Sequence, residues 1–349
     1  MTAGRIVRER EAPARGFGDR LAERVADRRS QIVVGLDPDP MRLWPRALEL
    51  VGGPRAAGGR GGSGPPGVRS ADSADELTAR AVAAHCRLVL DAVADDCVAV
   101  KPQVACFERL GAPGWAALRE VVVDAGERGL LVIADAKRGD IEISARAYGQ
   151  AFFGGSETPF GHVDGLGADA LTVSPLLGRD SLAPLVQAAR ELGSGILALV
   201  RTSNPGAADL QDRRLASGGS VSEALARMVD ELGTPGIGQS GLADVGAVTG
   251  ATAPERLESL RALMPHAVLL LPGIGPQGAS GRDLAPAFGP GAAAGLVTAS
   301  RAIVHAADAE AQPAAGRSGL VAAGNRRDPA TAAGAAAKRL RELIWDLYA

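Results

Sequence analysis

Eight short apolar runs, at residues 31–36, 97–100, 130–134, 169–173, 196–200, 245–248, 267–271 and 295–298, recur along the chain. Most are apolar at nearly every position, not at alternate ones, as expected of strands buried on both faces in a parallel sheet with helical crossovers. The stretches between them carry helical spacing, over residues 19–29, 74–93, 115–128, 141–153, 180–192, 220–232, 254–263 and 330–347. Pro254 suits the first turn of its helix. Eight strand–helix units predict an α/β fold, a TIM (β/α)8 barrel, built as a single domain from residue 16 to residue 349.

Three stretches fall outside that pattern. Residues 1–15 are polar and read as a flexible N-terminus, while residues 51–73 and 307–329, rich in Gly and Pro, read as mobile loops inserted in the barrel. With 38 basic against 40 acidic residues and only 3% aromatics, the chain lacks the makings of a general nucleic-acid surface, though a small anion remains a possible ligand. Cys86, Cys97 and Cys106 are odd in number, lack C-x-x-C spacing and sit in or beside apolar runs, which predicts reduced thiols in a cytoplasmic protein. His85, His162, His266 and His305 are scattered without metal-ligand spacing, so no metal site is expected. No apolar run approaches a membrane span, and the N-terminus lacks the apolar core of a signal peptide.

Chemistry in parallel barrels sits at the carboxyl ends of the strands. Asp37, Lys101, Asp135 with Lys137, Ser203, Gln277 and Arg301 all fall at or just past such ends. The densest group is Asp135-Ala136-Lys137-Arg138-Gly139-Asp140-Ile141, where an apolar strand stops in alternating charges. An isolated D-x-K-x-x-D is ordinarily a solvated loop; its place at a strand end, with polar residues at the other ends, favours a site. Asp135 and Lys137 are two apart, so an extended backbone points both to one side, and Gly139 lets the chain turn so that Asp140 completes a compact Asp-Lys-Asp cluster. Lys101, at a buried strand end, requires a partner for its ammonium.

Gly273, Gly275 and Gly278 form G-x-G-x-x-G after a strand, the spacing of a dinucleotide site. That reading fails, because the acid expected roughly 20 positions on is missing and Pro276 removes an N–H donor. What remains is a tight turn that aims the Gln277 amide and neighbouring N–H groups at a phosphate, with Arg301 as charge partner, or a plain structural turn.

The 135–141 motif resembles the signature of the orotidine 5′-phosphate decarboxylase family. Lys101-Pro102-Gln103, Thr202-Ser203-Asn204-Pro205 and Pro272-Gly273-Ile274-Gly275-Pro276-Gln277-Gly278 resemble its bacterial, type 2 branch, and the likeness runs from about residue 16 to residue 301. The resemblance implies a cofactor-free lyase that converts orotidine 5′-phosphate to UMP and carbon dioxide. It implies Lys137 as the cation and proton donor, Asp135 against the substrate carboxylate, and Lys101 and Asp140 completing a charge network. It also implies Asp37 and Lys101 on ribose hydroxyls, Ser203 on the pyrimidine edge, and Gln277 with Arg301 on the phosphate. Ser144, one helical turn past Asp140, would face the same site or be an ordinary helix-surface serine, and a homodimer would lend Asp140 to its partner's site. Two other readings stay open: a magnesium-dependent sugar-phosphate decarboxylase or aldolase of the same superfamily, which Lys101 at the second strand end disfavours, and a non-catalytic phosphate-binding barrel. Arg201 and the two loop stretches receive no role.

Overall fold

The computed structural model describes residues 15–53, 73–251, 254–273, 281–310 and 328–348. Most of the expected N-terminal tail and of the two Gly/Pro-rich loops lies outside these residues; at the start of the second loop, Ala306–Glu310 is helical.

Strand β1 (Ile32–Leu36) alternates: Ile32, Val34 and Leu36 join the apolar layer beneath the outer helices, while Val33 joins a second cluster inside the sheet. The two-residue period of a strand gives each one an inner and an outer face. The remaining barrel strands are β2 (Ala99–Pro102), β3 (Leu131–Arg138), β4 (Ala170–Val173), β5 (Gly195–Arg201), β6 (Val245–Thr249), β7 (Leu269–Pro272) and β8 (Gly295–Ala299). Neighbours pair in parallel around the ring, and β8 returns to β1 with Ile32 opposite Val297, so eight strands close into a barrel.

The inner cluster includes Val33, Ile133, Leu197, Leu270 and Leu296, each contributing roughly 1.5–3 kcal/mol by leaving water. Phe17, Leu21 and Val25 of the N-terminal helix (Phe17–Arg28) belong to the same cluster and plug the amino end of the barrel. Beside them Arg20 Nη1 donates to Asp169 Oδ1 at 2.6 Å, and Asp169 Oδ2 accepts the Val132 N–H at 2.8 Å. That end is therefore closed by packing and by an ion pair, leaving the carboxyl mouth for chemistry.

Helix Ala74–Val93 has the bounds the sequence predicts, fixed by a reciprocal capping box between Ser73 and Glu76. The helix expected over 141–153 is shorter: an α-helix, Glu142–Gly149, widens into a π-turn, Gln150–Gly154, and a hairpin of Gly155–Thr158 with Gly161–Asp164 follows. Strands β2 and β3 also run further than expected, carrying Lys101, Asp135 and Lys137 within the strands instead of just beyond them. Among the described residues no helix is long and apolar enough to cross a membrane.

Candidate active site

Along β3 the inner face runs Leu131, Ile133 and then Asp135, so the carboxylate takes the next inward position at the mouth. On β2 Lys101 continues the parity of Ala99, and on β4 Thr172 continues that of Ala170. Three adjacent strands thus aim polar side chains at one point. Asp135 Oδ2 accepts from Lys101 Nζ at 2.6 Å and from Gln103 Nε2 at 3.1 Å; Oδ1 accepts from Lys137 Nζ at 2.6 Å and from Thr172 Oγ1 at 2.9 Å.

Asp135 is 6% exposed. Burial alone would raise its pKa, but the Lys101 and Lys137 ammoniums outweigh it and hold the carboxyl down at about 2. The mouth therefore carries a fixed anion clamped by two cations. They differ in access: the Lys101 side chain is 9% exposed, that of Lys137 45%.

Lys137 reaches Asp135 from the same side, as expected, but not along a regular strand. The β3–β4 ladder shifts between Ala134 and Arg138, and Lys137 has φ 49°, with its N–H held by Thr172 Oγ1 at 3.0 Å. A left-handed backbone at a residue bearing a Cβ costs roughly 1–2 kcal/mol, strain of the kind that persists where surrounding bonds over-determine it. Gly139 does not supply the turn. Its φ is not positive; a Cβ there would stand 2.6 Å from the Ser174 carbonyl oxygen, so glycine is needed for close packing, and the left-handed positions fall on Lys137 and Glu142.

The compact Asp-Lys-Asp cluster is also corrected. Within one chain the cluster is Lys101–Asp135–Lys137; Asp140 makes no ion pair among the described residues, and its Oδ1 accepts the N–H of Ile141 at 2.8 Å. The chain turns away after Arg138, whose guanidinium pairs with Glu108 and lies over the Tyr148 and Phe152 rings. Ser144 is exposed on the helix that follows.

Asp37 and Arg301, at the ends of the adjacent strands β1 and β8, line one cleft of about 160 Å³ together with Asp39, Arg42, His85 and Ser300. Arg301 pairs with no carboxylate among the described residues. Burial, with His305 nearby, pushes His85 down to about 4, and its Nδ1 accepts the Trp44 N–H at 3.1 Å, so the ring is neutral at pH 7. Ser203 lies past β5 with its backbone packed on Gly250, where a Cβ would stand 2.7 Å from Ser203 Cα. Gln277 is outside the described residues. Gln103, Thr172 and His85 were given no role from sequence; the inward parity of Ala170 would have found Thr172, the Lys101-Pro102-Gln103 motif contains Gln103, and no local signal marks His85.

The chain's residues 30–315 match the model of the orotidine 5'-phosphate decarboxylase / HUMPS family. It is 49% identical over 219 residues to the orotidine 5'-phosphate decarboxylase of Deinococcus radiodurans, covering 62% of this chain and 75% of that protein. With the orotidine 5'-phosphate decarboxylase of Halorubrum lacusprofundi it shares 35% identity over 336 residues, 94% of this chain and 98% of the other. The structure of Leishmania donovani OMP decarboxylase superposes with a TM-score of 0.63 at 29% identity, covering 95% of this chain and 98% of that one. With the barrel, the mouth cluster and these likenesses in agreement, this chain belongs to the orotidine 5'-phosphate decarboxylase / HUMPS family.

Proposed function

We propose that the protein decarboxylates orotidine 5′-phosphate to UMP and carbon dioxide without a cofactor, the last step of de novo pyrimidine nucleotide synthesis. The observation that carries this reading is the Asp135 carboxylate held between two ammoniums, one buried and one open to solvent. Loss of carbon dioxide from C6 leaves a vinyl carbanion whose electron pair lies in the ring plane, orthogonal to the pyrimidine π system and without an electron sink, so fixed charge must stabilise it. Lys137 is the accessible cation and then delivers its proton to C6. Asp135, ionised at any physiological pH, faces the substrate carboxylate and opposes the ground state more than the transition state. Lys101 keeps Asp135 charged and in place.

Asp37 and Lys101 hold the ribose hydroxyls, Ser203 the pyrimidine edge, and Arg301 with Gln277 the phosphate; Ser144 borders the same mouth. The shared cleft of Asp37 and Arg301 supports placing ribose and phosphate across β1 and β8. The protein acts as a cytoplasmic homodimer in which Asp140 completes the partner's site. Two observations support that exchange: Asp140 does not reach Lys137 of its own chain, and exposed Ile141, Ile143, Leu176 and Leu177 lie beside it in sequence or past the neighbouring strand β4.

Both Asp135 oxygens are occupied by ammoniums, which a divalent cation would have to displace, so the site disfavours the magnesium-dependent reading. The test is the loss of orotidine 5′-phosphate absorbance with and without EDTA. Turnover insensitive to chelator is expected. Chelator-sensitive turnover would establish the magnesium chemistry, and binding without turnover a phosphate-binding barrel.

A further inference from the structure

Arg201, the charge that the sequence leaves without a role, ends β5 and is followed by an excursion, residues 202–220, before helix Val221–Gly233. Its side chain is 12% exposed, and that of Asp212, midway along the excursion, 15%. Buried charges persist when they are paired. Arg201 Nη2 stands 3.1 Å from Asp212 Oδ2, and Arg256 Nε, on the helix after β6, stands 3.4 Å from Oδ1, an ion-pair distance without hydrogen-bond geometry. One carboxylate therefore ties a strand end, its own excursion and the element beyond the next strand.

The same residues grip Thr202. Arg201 Nη1 donates to the Thr202 carbonyl at 2.9 Å, and Gln211, next to Asp212 in the chain, accepts the Thr202 N–H at 2.8 Å. The Gly250 N–H donates to the Arg201 carbonyl at 2.6 Å. Both backbone groups of Thr202 are thus fixed by side chains of this network, and Ser203 follows directly, seated on Gly250.

We infer that Arg201, Gln211 and Asp212 are positioning residues that set the Ser203 peptide against the pyrimidine edge of the substrate. The inference rests on the decarboxylase reading, which places the pyrimidine at Ser203. In the closed sheet β5 lies across the barrel from β1, whose cleft with β8 is assigned to ribose and phosphate. Loosening the network should therefore harm recognition of the base and spare that of the sugar phosphate. A displacement of about 1 Å at a positioning group lowers rates on the order of 100-fold.

The experiment compares wild-type protein with Asp212→Asn, Gln211→Leu and Gln211→Glu. It reads kcat/KM for orotidine 5′-phosphate, the inhibition constants of UMP and ribose 5-phosphate, and the thermal midpoint. For Asp212→Asn and Gln211→Leu, kcat/KM should fall about 10- to 100-fold and UMP inhibition should weaken, while ribose 5-phosphate stays within about twofold. Gln211→Glu keeps an acceptor for the Thr202 N–H and should recover most of the loss. Parallel weakening of UMP and ribose 5-phosphate, or a lowered thermal midpoint with unchanged kinetics, would overturn the inference. Should Asp212→Asn fail to fold, the two Gln211 variants decide. Wild-type protein that binds UMP without turning over orotidine 5′-phosphate would refute the decarboxylase reading, and the UMP against ribose 5-phosphate comparison would still judge this one.

Discussion

Of the buried aspartates, Asp169 at 7% exposure and Asp135 at 6% lie at opposite ends of the barrel, and their partners differ in kind. At the closed end the partner is Arg20, whose Nη1 is spent on Asp169 and Nη2 on the Gly193 carbonyl at 2.9 Å, while Asp169 also holds the β3 backbone. The planar fork fits two fixed acceptors, and its bonds end within the protein. At the mouth the partners are lysines. Lys137 spends one bond on Asp135, and its ammonium, nearly half exposed, keeps donors for something beyond the described residues. The pair at the closed end is consumed by the fold, whereas the one at the mouth leaves the donors that the proposed site requires.

The largest effect expected from that contrast is in Lys137→Ala. Turnover should fall by several orders of magnitude, about 10⁴-fold or more, with UMP binding retained and the thermal midpoint little changed. Steady-state kinetics beside UMP titration checks this, and a variant keeping a tenth of wild-type turnover would erase the distinction between the two ends.

The mirror-image prediction is made at the closed end. Asp169→Ala should lose about 3 kcal/mol of stability, since it strands the Arg20 charge and the Val132 N–H, yet keep wild-type kcat per folded molecule. Urea unfolding with activity measured well below the midpoint reads both quantities. A fallen kcat with unchanged stability would mean that the closed end also serves the chemistry.

A smaller effect concerns pH at the mouth. Asp135 titrates at about 2 in the folded chain, below its ordinary 3.8, so its network stabilises the fold above about pH 4 and that contribution is lost as the pH falls from about 4 to about 2. The contribution is on the order of 2 kcal/mol. In Asp135→Asn the acid limb of the stability curve should flatten between those values, as followed by circular dichroism. An unchanged slope would show that Asp135 is not held ionised by Lys101 and Lys137.

The closed end and the mouth also differ in how far the sequence revealed them. Apolar runs placed all eight strands because burial on both faces leaves a local signature, and polar residues at their ends marked Asp135, Lys137 and Lys101. The partners of those residues were harder to see. Thr172 lies 37 residues from Asp135, and Gln103 lies 32 away, so their contacts arise from strand register, which one sequence does not specify. Arg20 with Asp169, 149 residues apart, is hidden for the same reason. The left-handed turn at Lys137 falls on a residue whose type gives no warning of it, and Gly139 drew attention as the hinge it is not. The hairpin beyond the π-turn was missed because its strands, one half-buried and one exposed, are short and mostly polar and lack an apolar alternation.

The central claim is that the spare donors of Lys137 complete a site only when substrate and a second subunit are present, with Asp140 crossing between chains. The most direct measurement mixes Lys137→Ala and Asp140→Asn homodimers, each expected to be nearly inactive, under conditions where exchange of subunits is verified by mass. Random reassortment makes about half the dimers mixed, and each mixed dimer regains one intact site of two, so roughly a quarter of wild-type activity should return. If exchange is complete and no activity returns, Asp140 serves its own chain and the shared site is wrong.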